Sequence, residues 1–283
     1  MNNSQNQPPV ACPLCLENTA LRSFNWGNQP IIRCLHCGLD YCPSITYKEP
    51  GADTSPTTKE NITMLMDTFI ASQSVALQRI NNRLLEFQQF KSGNIQDVLE
   101  IGCGPGIFHA PFAAAGISWT GLEVNPRWIQ WGREQQIPIK NNPISDYKES
   151  FDLIIACQLL EHFSEPRLFI TNLLRAIRPG GLLHLEVPNH NSFMSALRKI
   201  SPRLSPEYGC IQPTRHMRAY SVKSFEYIFS EFDLQTKHLV VYPNDHPVWG
   251  QARVKQPLIN RLTYRVSDML GSGSLLVGIA QKT

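Results

Sequence analysis

Two C-x-x-C pairs, Cys12 and Cys15 in "CPLC" and Cys34 and Cys37 in "CLHC", place the first evident chemistry near the start of the 283-residue chain. Each pair presents two sulfurs from one tight turn, and structural zinc takes four such ligands in a closed tetrahedron. The pattern is that of a zinc ribbon, so the four thiolates are expected to hold one structural Zn2+. His36 and Cys42 stay outside that set, while Cys103, Cys157 and Cys210 read as small residues or loop thiols. A second kind of chemistry sits in "VLEIGCGPGIFHA", where Gly102, Gly104 and Gly106 follow an apolar run and open a helix-like stretch. Glycines there let the backbone turn tightly and let a ligand approach closer than any side chain would permit. The spacing is G-x-G-x-G, not the dinucleotide pattern G-x-G-x-x-G, since position 107 is Ile107.

Positioning these residues requires a frame, and the apolar periodicity supplies its outline. Between the cysteine pairs, "LENTALRSFNWGNQPIIR" holds a turn cluster of Gly27, Asn28 and Pro30 between two short apolar runs, as a hairpin does. Residues 1–10 are expected to be disordered and residues 11–43 to form the ribbon. Residues 44–60, with prolines and small polar residues, read as a linker. From Ile62 to Phe90 apolar residues recur at three and four positions with no internal proline or glycine, the mark of a helix or a broken pair of helices. Beyond Asp97, short apolar runs alternate with helix-like stretches. "DVLEIGC", "SWTGLEV", "FDLIIAC" and "LLHLEVP" are strand candidates, and "LQTKHLVVY" and "SLLVGIAQK" add two more. Such alternation specifies an α/β fold whose mostly parallel sheet carries helices on both faces.

Charge narrows the partners. The net charge is +3, and the first fifty residues balance Arg22, Arg33 and Lys48 against Glu17, Asp40 and Glu49. The basic face that a nucleic-acid ribbon needs is missing, which makes nucleic acid an unlikely partner. Basic residues gather later instead, in Arg198, Lys199, Arg203, Arg215, Arg218 and Lys223 against Glu207 and Glu226. They are either solvated or a binding surface for an anionic substrate. No apolar run approaches the roughly 18–20 residues of a membrane span, and "MNNSQNQPPV" has no apolar region that would serve as a secretion signal. A soluble, cytoplasmic protein with reduced thiols is expected.

In its strand context, "VLEIGCGPG" resembles motif I of the class I S-adenosylmethionine-dependent methyltransferases. The resemblance runs from about residue 95 to residue 240, through "FDLIIACQLLEHF", "LRAIRPGGLLHLEVPN" and "HMRAYSVKSFEYIFSEF". It implies a Rossmann-like, seven-stranded sheet over residues 61–283 with a lid-like insertion at about 190–233. It implies S-adenosylmethionine as cofactor, held by Gly102, Gly104 and Gly106, with Glu123 in "GLEVNP" accepting hydrogen bonds from both ribose hydroxyls. Glu100 would orient the loop or the donor's amino-acid end, and Gln158 joins the cofactor side. The adenine contact falls on Asn142 or Asp146, of which Asn142 is carried forward. N-terminal cysteine knuckles of this kind resemble those of bacterial methyltransferases of polysaccharide, sugar-nucleotide and natural-product pathways.

In the implied reaction a nucleophile displaces a thioether from a sulfonium methyl, and a hydroxyl acceptor must shed a proton as it attacks. Histidine suits that task near neutral pH. His162, His190 and His216 fall where the implied fold places the acceptor, with His216 the first candidate for the base and His162 the second. Arg215 and Arg218 flank His216 and would hold an anionic group of a small-molecule acceptor. The leading expectation is an O-methyltransferase acting on a sugar, glycan or natural product. The alternatives are an RNA methyltransferase whose ribbon clamps RNA, and a catalytically silent module that binds the cofactor or docks a partner.

Overall fold

The structure is a computed structural model, and it describes residues 11–26, 29–43, 73–91, 93–200, 216–242, 266, 269–270, 272–273 and 275–283. The expected N-terminal tail (1–10) and linker (44–60) lie outside the described residues. So do the start of the helical stretch and residues 201–215, with Arg203, Glu207, Cys210 and Arg215.

Three short strands come first, β1 (Ala20–Trp26), β2 (Gln29–Cys34) and β3 (Asp40–Tyr41), followed by helix α1 (Gln73–Phe90). An alternating series then runs β4 (Asp97–Ile101), α2 (His109–Ala114), β5 (Ser118–Leu122), α3 (Pro126–Gln135), β6 (Ile139–Lys140), β7 (Phe151–Cys157), α4 (Pro166–Ala176) and β8 (Ile177–Pro188). Helix α5 (Phe193–Ile200), strand β9 (Arg218–Ala219), helix α6 (Val222–Glu231) and strands β10 (Leu234–Tyr242) and β11 (Leu275–Lys282) complete it. The main sheet has seven strands in the order β10-β11-β8-β7-β4-β5-β6. Its pairs β4–β5, β5–β6, β4–β7 and β7–β8 are parallel, and β11 runs antiparallel to β8 and β10.

The apolar run of β7 explains the layering, because a strand buried on both faces reads as continuous hydrophobic sequence. Successive side chains point to opposite faces. Ile154 and Ala156 enter one core with Phe169, Ile170 and Leu173 of α4 and Phe225 and Ile228 of α6. Leu153 and Ile155 enter the other with Phe87 of α1, Phe112 of α2 and Ile129 of α3. Helices start where capping groups sit. The Asn125 side chain accepts from the backbone N–H of Arg127 and Pro126 takes the first turn of α3, while Ser221 and Ser224 form a reciprocal capping box on α6.

Strands β6 and β9, two residues each, have no counterpart among the strand candidates drawn from periodicity. β9 also changes the picture of the ribbon. It belongs to the span expected to form a lid, yet it extends the ribbon's sheet to the order β1-β2-β3-β9, with Asp40 opposite Ala219 and Tyr41 opposite Arg218. The ribbon's Leu14, Leu39 and Tyr41 share one buried core with Tyr220 and Phe225. Among the described residues, no helix is long and apolar enough to cross a membrane.

Candidate cofactor cleft and cysteine cluster

At the carboxyl end of β4 the chain turns through Gly102, Gly104 and Gly106, all in the left-handed region with φ of +67°, +51° and +77°. The turn is closed by backbone bonds from Gly102 N–H to Leu122 O (2.8 Å) and from Gly106 N–H to Cys103 O (2.9 Å). Two of these glycines have different reasons. A Cβ on Gly106 would sit 2.8 Å from Ile137 Cγ2 and 3.2 Å from Trp119, so packing excludes it, whereas a Cβ on Gly104 would meet nothing within 4 Å. Open space beside a left-handed glycine leaves room for a ligand to approach the backbone. Glu123, just past β5, faces this loop. Its Oε2 accepts the Gly104 N–H at 2.9 Å and its Oε1 accepts the Val124 and Asn125 N–H groups at 2.8 and 2.9 Å. Those bonds fix the carboxylate, and its oxygens keep acceptor capacity for a ligand.

Gly102 and Glu123 line a cleft of about 400 Å³ together with Asn142, Ile144, Leu159 and Phe163. That volume suits a small organic ligand, and the cleft lies beyond the carboxyl ends of the parallel strands, where open α/β sheets bind ligands. Asn142 donates to Asp146 at 3.3 Å. Glu100 lies beneath the loop, buried, accepting from Trp119 Nε1 at 3.1 Å. Burial pushes its pKa well above the usual range and the Glu123 charge adds to this, against the Trp119 hydrogen bond. Gln158 follows β7 with a φ of +51° and donates its N–H to Glu186 O at 2.7 Å.

Beyond Gln158, a 3-10 turn over Leu160–His162 carries Glu161 and His162. Segment 216–220 docks on it through Met217 N–H to Glu161 O (3.0 Å), Arg218 Nη2 to Ser164 O (3.0 Å) and Tyr220 Oη to Leu160 O (3.4 Å). This brings the His162 and His216 rings edge to face, 4.9 Å between centroids. Glu161 lies with them, with donor atoms of all three within 4.8 Å of one another. Neither Glu161 oxygen, both buried, has a hydrogen-bond partner, and burial pushes the acid up to about 8.

Two of the expected acceptor contacts face elsewhere. Arg218 is buried and donates from Nη1 to the Met217 carbonyl and from Nη2 to the Ser164 carbonyl, leaving its buried Nε without a hydrogen-bond partner. His190 is fully buried against Asp40 of β3, which also holds Arg33 through two hydrogen bonds of 2.7 and 3.1 Å. Lys223 donates to Leu35 O in the ribbon at 2.7 Å. Of the late basic residues whose side chains are described, Lys223 thus ties α6 to the ribbon.

In the ribbon, Cys12, Cys15, Cys34 and Cys37 are brought within 4.8 Å of one another. Zn–S bonds of about 2.3 Å in a tetrahedron set sulfurs about 3.8 Å apart, and Cys12–Cys37 and Cys15–Cys34 measure 3.6 and 3.4 Å. Leu16 and Gly38, each following the second cysteine of a pair, adopt left-handed φ of 65° and 74°. His36 stands apart, edge to face with Tyr227. Charge, size and softness of the donor set fit Zn2+.

Glu161 and Asp40 are the site residues that sequence reading passed over. The signal for Glu161 was an acid inside the apolar run "ACQLLEHF"; Asp40 in "GLDY" gave none.

The sheet order, the glycine turn and the acid at the end of β5 together define a Rossmann-like methyltransferase architecture. The chain belongs to the methyltransferase domain family, which it matches over residues 70–239. It is 27% identical over 157 residues to a ubiquinone biosynthesis O-methyltransferase of Hydrogenovibrio crunogenus, covering 51% of this chain and 64% of that protein. The chain thus spans under two thirds of the length of that relative. Its fold is similar to the plantazolicin methyltransferase solved with S-adenosylhomocysteine, at TM-score 0.52, 13% identity and coverage of 82% of this chain and 94% of that one. It is likewise similar to an S-adenosylmethionine-dependent methyltransferase of Thermotoga maritima, at TM-score 0.51, 15% identity, 78% and 96%.

Proposed function

We propose that the chain transfers a methyl group from S-adenosylmethionine to a hydroxyl of a small molecule, with a sugar, glycan or related natural product as the acceptor class. The observation that carries this reading is the pairing of Glu123, which lines the cleft, with Gly104, a pairing that sets a carboxyl acceptor beside an unobstructed stretch of backbone. Glu123 would take the ribose hydroxyls, Gly102 and Gly104 would lie along the donor's amino-acid end, and Asn142 would face the adenine. The O-methyltransferase name of the relative supports an oxygen acceptor.

The chain's own residues then have two tasks. The cleft holds the sulfonium methyl in line with the acceptor oxygen, and orientation of this kind is worth several kcal/mol, at most about 7–11. The Glu161, His162 and His216 group receives the hydroxyl proton, with His216 the first candidate and His162 the second; a positioned base contributes roughly 100- to 10,000-fold. Packing of the ribbon's Leu14, Leu39 and Tyr41 into the main domain argues for a structural ribbon over an RNA clamp.

The test is mass spectrometry of bacterial extracts incubated with the protein and methyl-labelled donor. A labelled methyl ether on a small molecule is the expected product. Label recovered only on RNA, or no label with cofactor bound, overturns the reading.

A further inference from the structure

Glu161 poses a physical problem that methyl transfer alone does not resolve. Its side chain is 1% exposed, and both carboxylate oxygens lack a hydrogen-bond partner. Leaving such a group unsatisfied costs about 1–3 kcal/mol, more when it is charged, and folded proteins rarely tolerate it without a reason. The carboxylate faces His162 Nε2 at 4.0 Å, and His216 closes the triangle. The backbone bond between Met217 and Glu161 holds the two segments together, so the convergence is built into the docking of segment 216–220.

We propose that Glu161, His162 and His216 form a divalent-cation site, separate from the cysteine cluster and placed beside the cofactor cleft. Two imidazoles and one carboxylate on one face are the donor set of borderline cations, Zn2+, Mn2+, Co2+ or Fe2+, with the other positions open to exogenous ligands. Bonds of about 2.0–2.2 Å require donors no more than about 4.4 Å apart. The present spread of up to 4.8 Å therefore closes by side-chain shifts of a few tenths of an ångström. The cation supplies the charge the buried carboxylate lacks, and the exposed side of His162 leaves a path for a ligand to enter.

The cation's role in catalysis rests on the methyl-transfer reading and, with the three side chains committed as ligands, takes the place of His216 as the means of removing the hydroxyl proton; its binding does not rest on that reading. The turn that carries Glu161 and His162 is flanked by Leu159 and Phe163 of the cleft wall. A hydroxyl oxygen on the cation, with an adjacent oxygen of the same acceptor as a second ligand, loses its O–H proton to solvent at lower pH than when free. The resulting alkoxide or phenolate forms the new O–CH3 bond as the sulfonium S–CH3 bond breaks, and the bonding pair leaves on a neutral thioether. Acceptors with two neighbouring oxygens are the class this site selects.

The experiment is titration of Mn2+ into full-length protein whose cysteine cluster is already loaded with zinc, following loss of the free-Mn2+ resonance, with Co2+ absorption as a second probe. One Mn2+ per chain is expected, and a Co2+ spectrum free of thiolate charge transfer. His216→Ala and Glu161→Gln, each checked for folding by circular dichroism, should weaken binding by at least tenfold. His162→Ala replaces either one if it fails to fold. No Mn2+ binding up to millimolar concentration overturns the site, as does binding that folded variants leave unchanged. If Mn2+ binds as described while no labelled ether forms in the extract assay, the cation site stands and the methyl-transfer reading falls. Methylation that survives complete chelation, in a protein that binds no Mn2+, returns the proton to His216 and removes the cation.

Discussion

Replacing Asp40 by alanine should loosen the joint between ribbon and sheet. Asp40 is fully buried, receives two hydrogen bonds from Arg33 and faces a fully buried His190. Removing one partner of a buried ion pair costs roughly 3–5 kcal/mol. The Arg33 side chain is 36% exposed and regains water when freed, so the expected loss is about 2–4 kcal/mol. In urea unfolding ΔG should fall by that amount, read as a lower midpoint at unchanged slope, with zinc retained. The pair also has a pH signature. Burial raises the Asp40 pKa, but the hydrogen bond and charge of His190, and then those of Arg33, outweigh it and hold the carboxyl below its usual range. A depressed folded pKa means that the stabilisation is complete above the unfolded value of about 3.9 and is lost as pH falls through the folded one. Wild type should therefore lose stability on acidification below about pH 4 more steeply than Asp40→Ala. In a double-mutant cycle Asp40→Ala and His190→Ala should couple by roughly 0.5–3 kcal/mol. An additive cycle, with the same acid slope in both proteins, would refute the reasoning.

Four further outcomes follow from the geometry. Purified protein should carry one zinc on Cys12, Cys15, Cys34 and Cys37, measured with the second cation site stripped by a weak chelator; full retention by Cys34→Ser would dismiss the assignment. Because β9 joins the ribbon's sheet, loss of that zinc should also expose segment 216–221 to hydrogen exchange, and unchanged protection there counts against the coupling. Glu123→Ala should weaken S-adenosylhomocysteine binding by roughly ten- to a hundredfold, since hydrogen bonds to a charged group contribute about 1.5–3 kcal/mol; wild-type affinity by calorimetry would misplace the ribose site. Gly106→Ala should cost about 2–4 kcal/mol of stability through left-handed strain and the clash with Ile137. Gly104→Ala should cost only about 1–2 kcal/mol yet weaken cofactor binding, and the reverse ranking in thermal melts would show the loop misread.

What was legible in the sequence depended on whether neighbours along the chain or distant residues set the property. The glycine turn, the cysteine knuckles and the apolar run of β7 are local: φ, sulfur spacing and two-sided burial write themselves into a few consecutive residues. β6 and β9 are too short for any period to show, and β9 forms only because β3, far upstream, offers it an edge. Arg218 and His190 read as acceptor contacts because composition records a side chain's charge but not its direction. Their partners, the Ser164 carbonyl and Asp40, are distant in sequence. Asp40 carries the wider lesson. The charges of the ribbon are balanced in the sequence, and the structure shows where part of that balance is spent. The ribbon's acid is buried at the junction with its own Arg33 and with His190, while Lys223 from α6 reaches back to Leu35. These contacts sit beside β9, which pairs with β3, and the Met217 to Glu161 bond holds His216 next to His162.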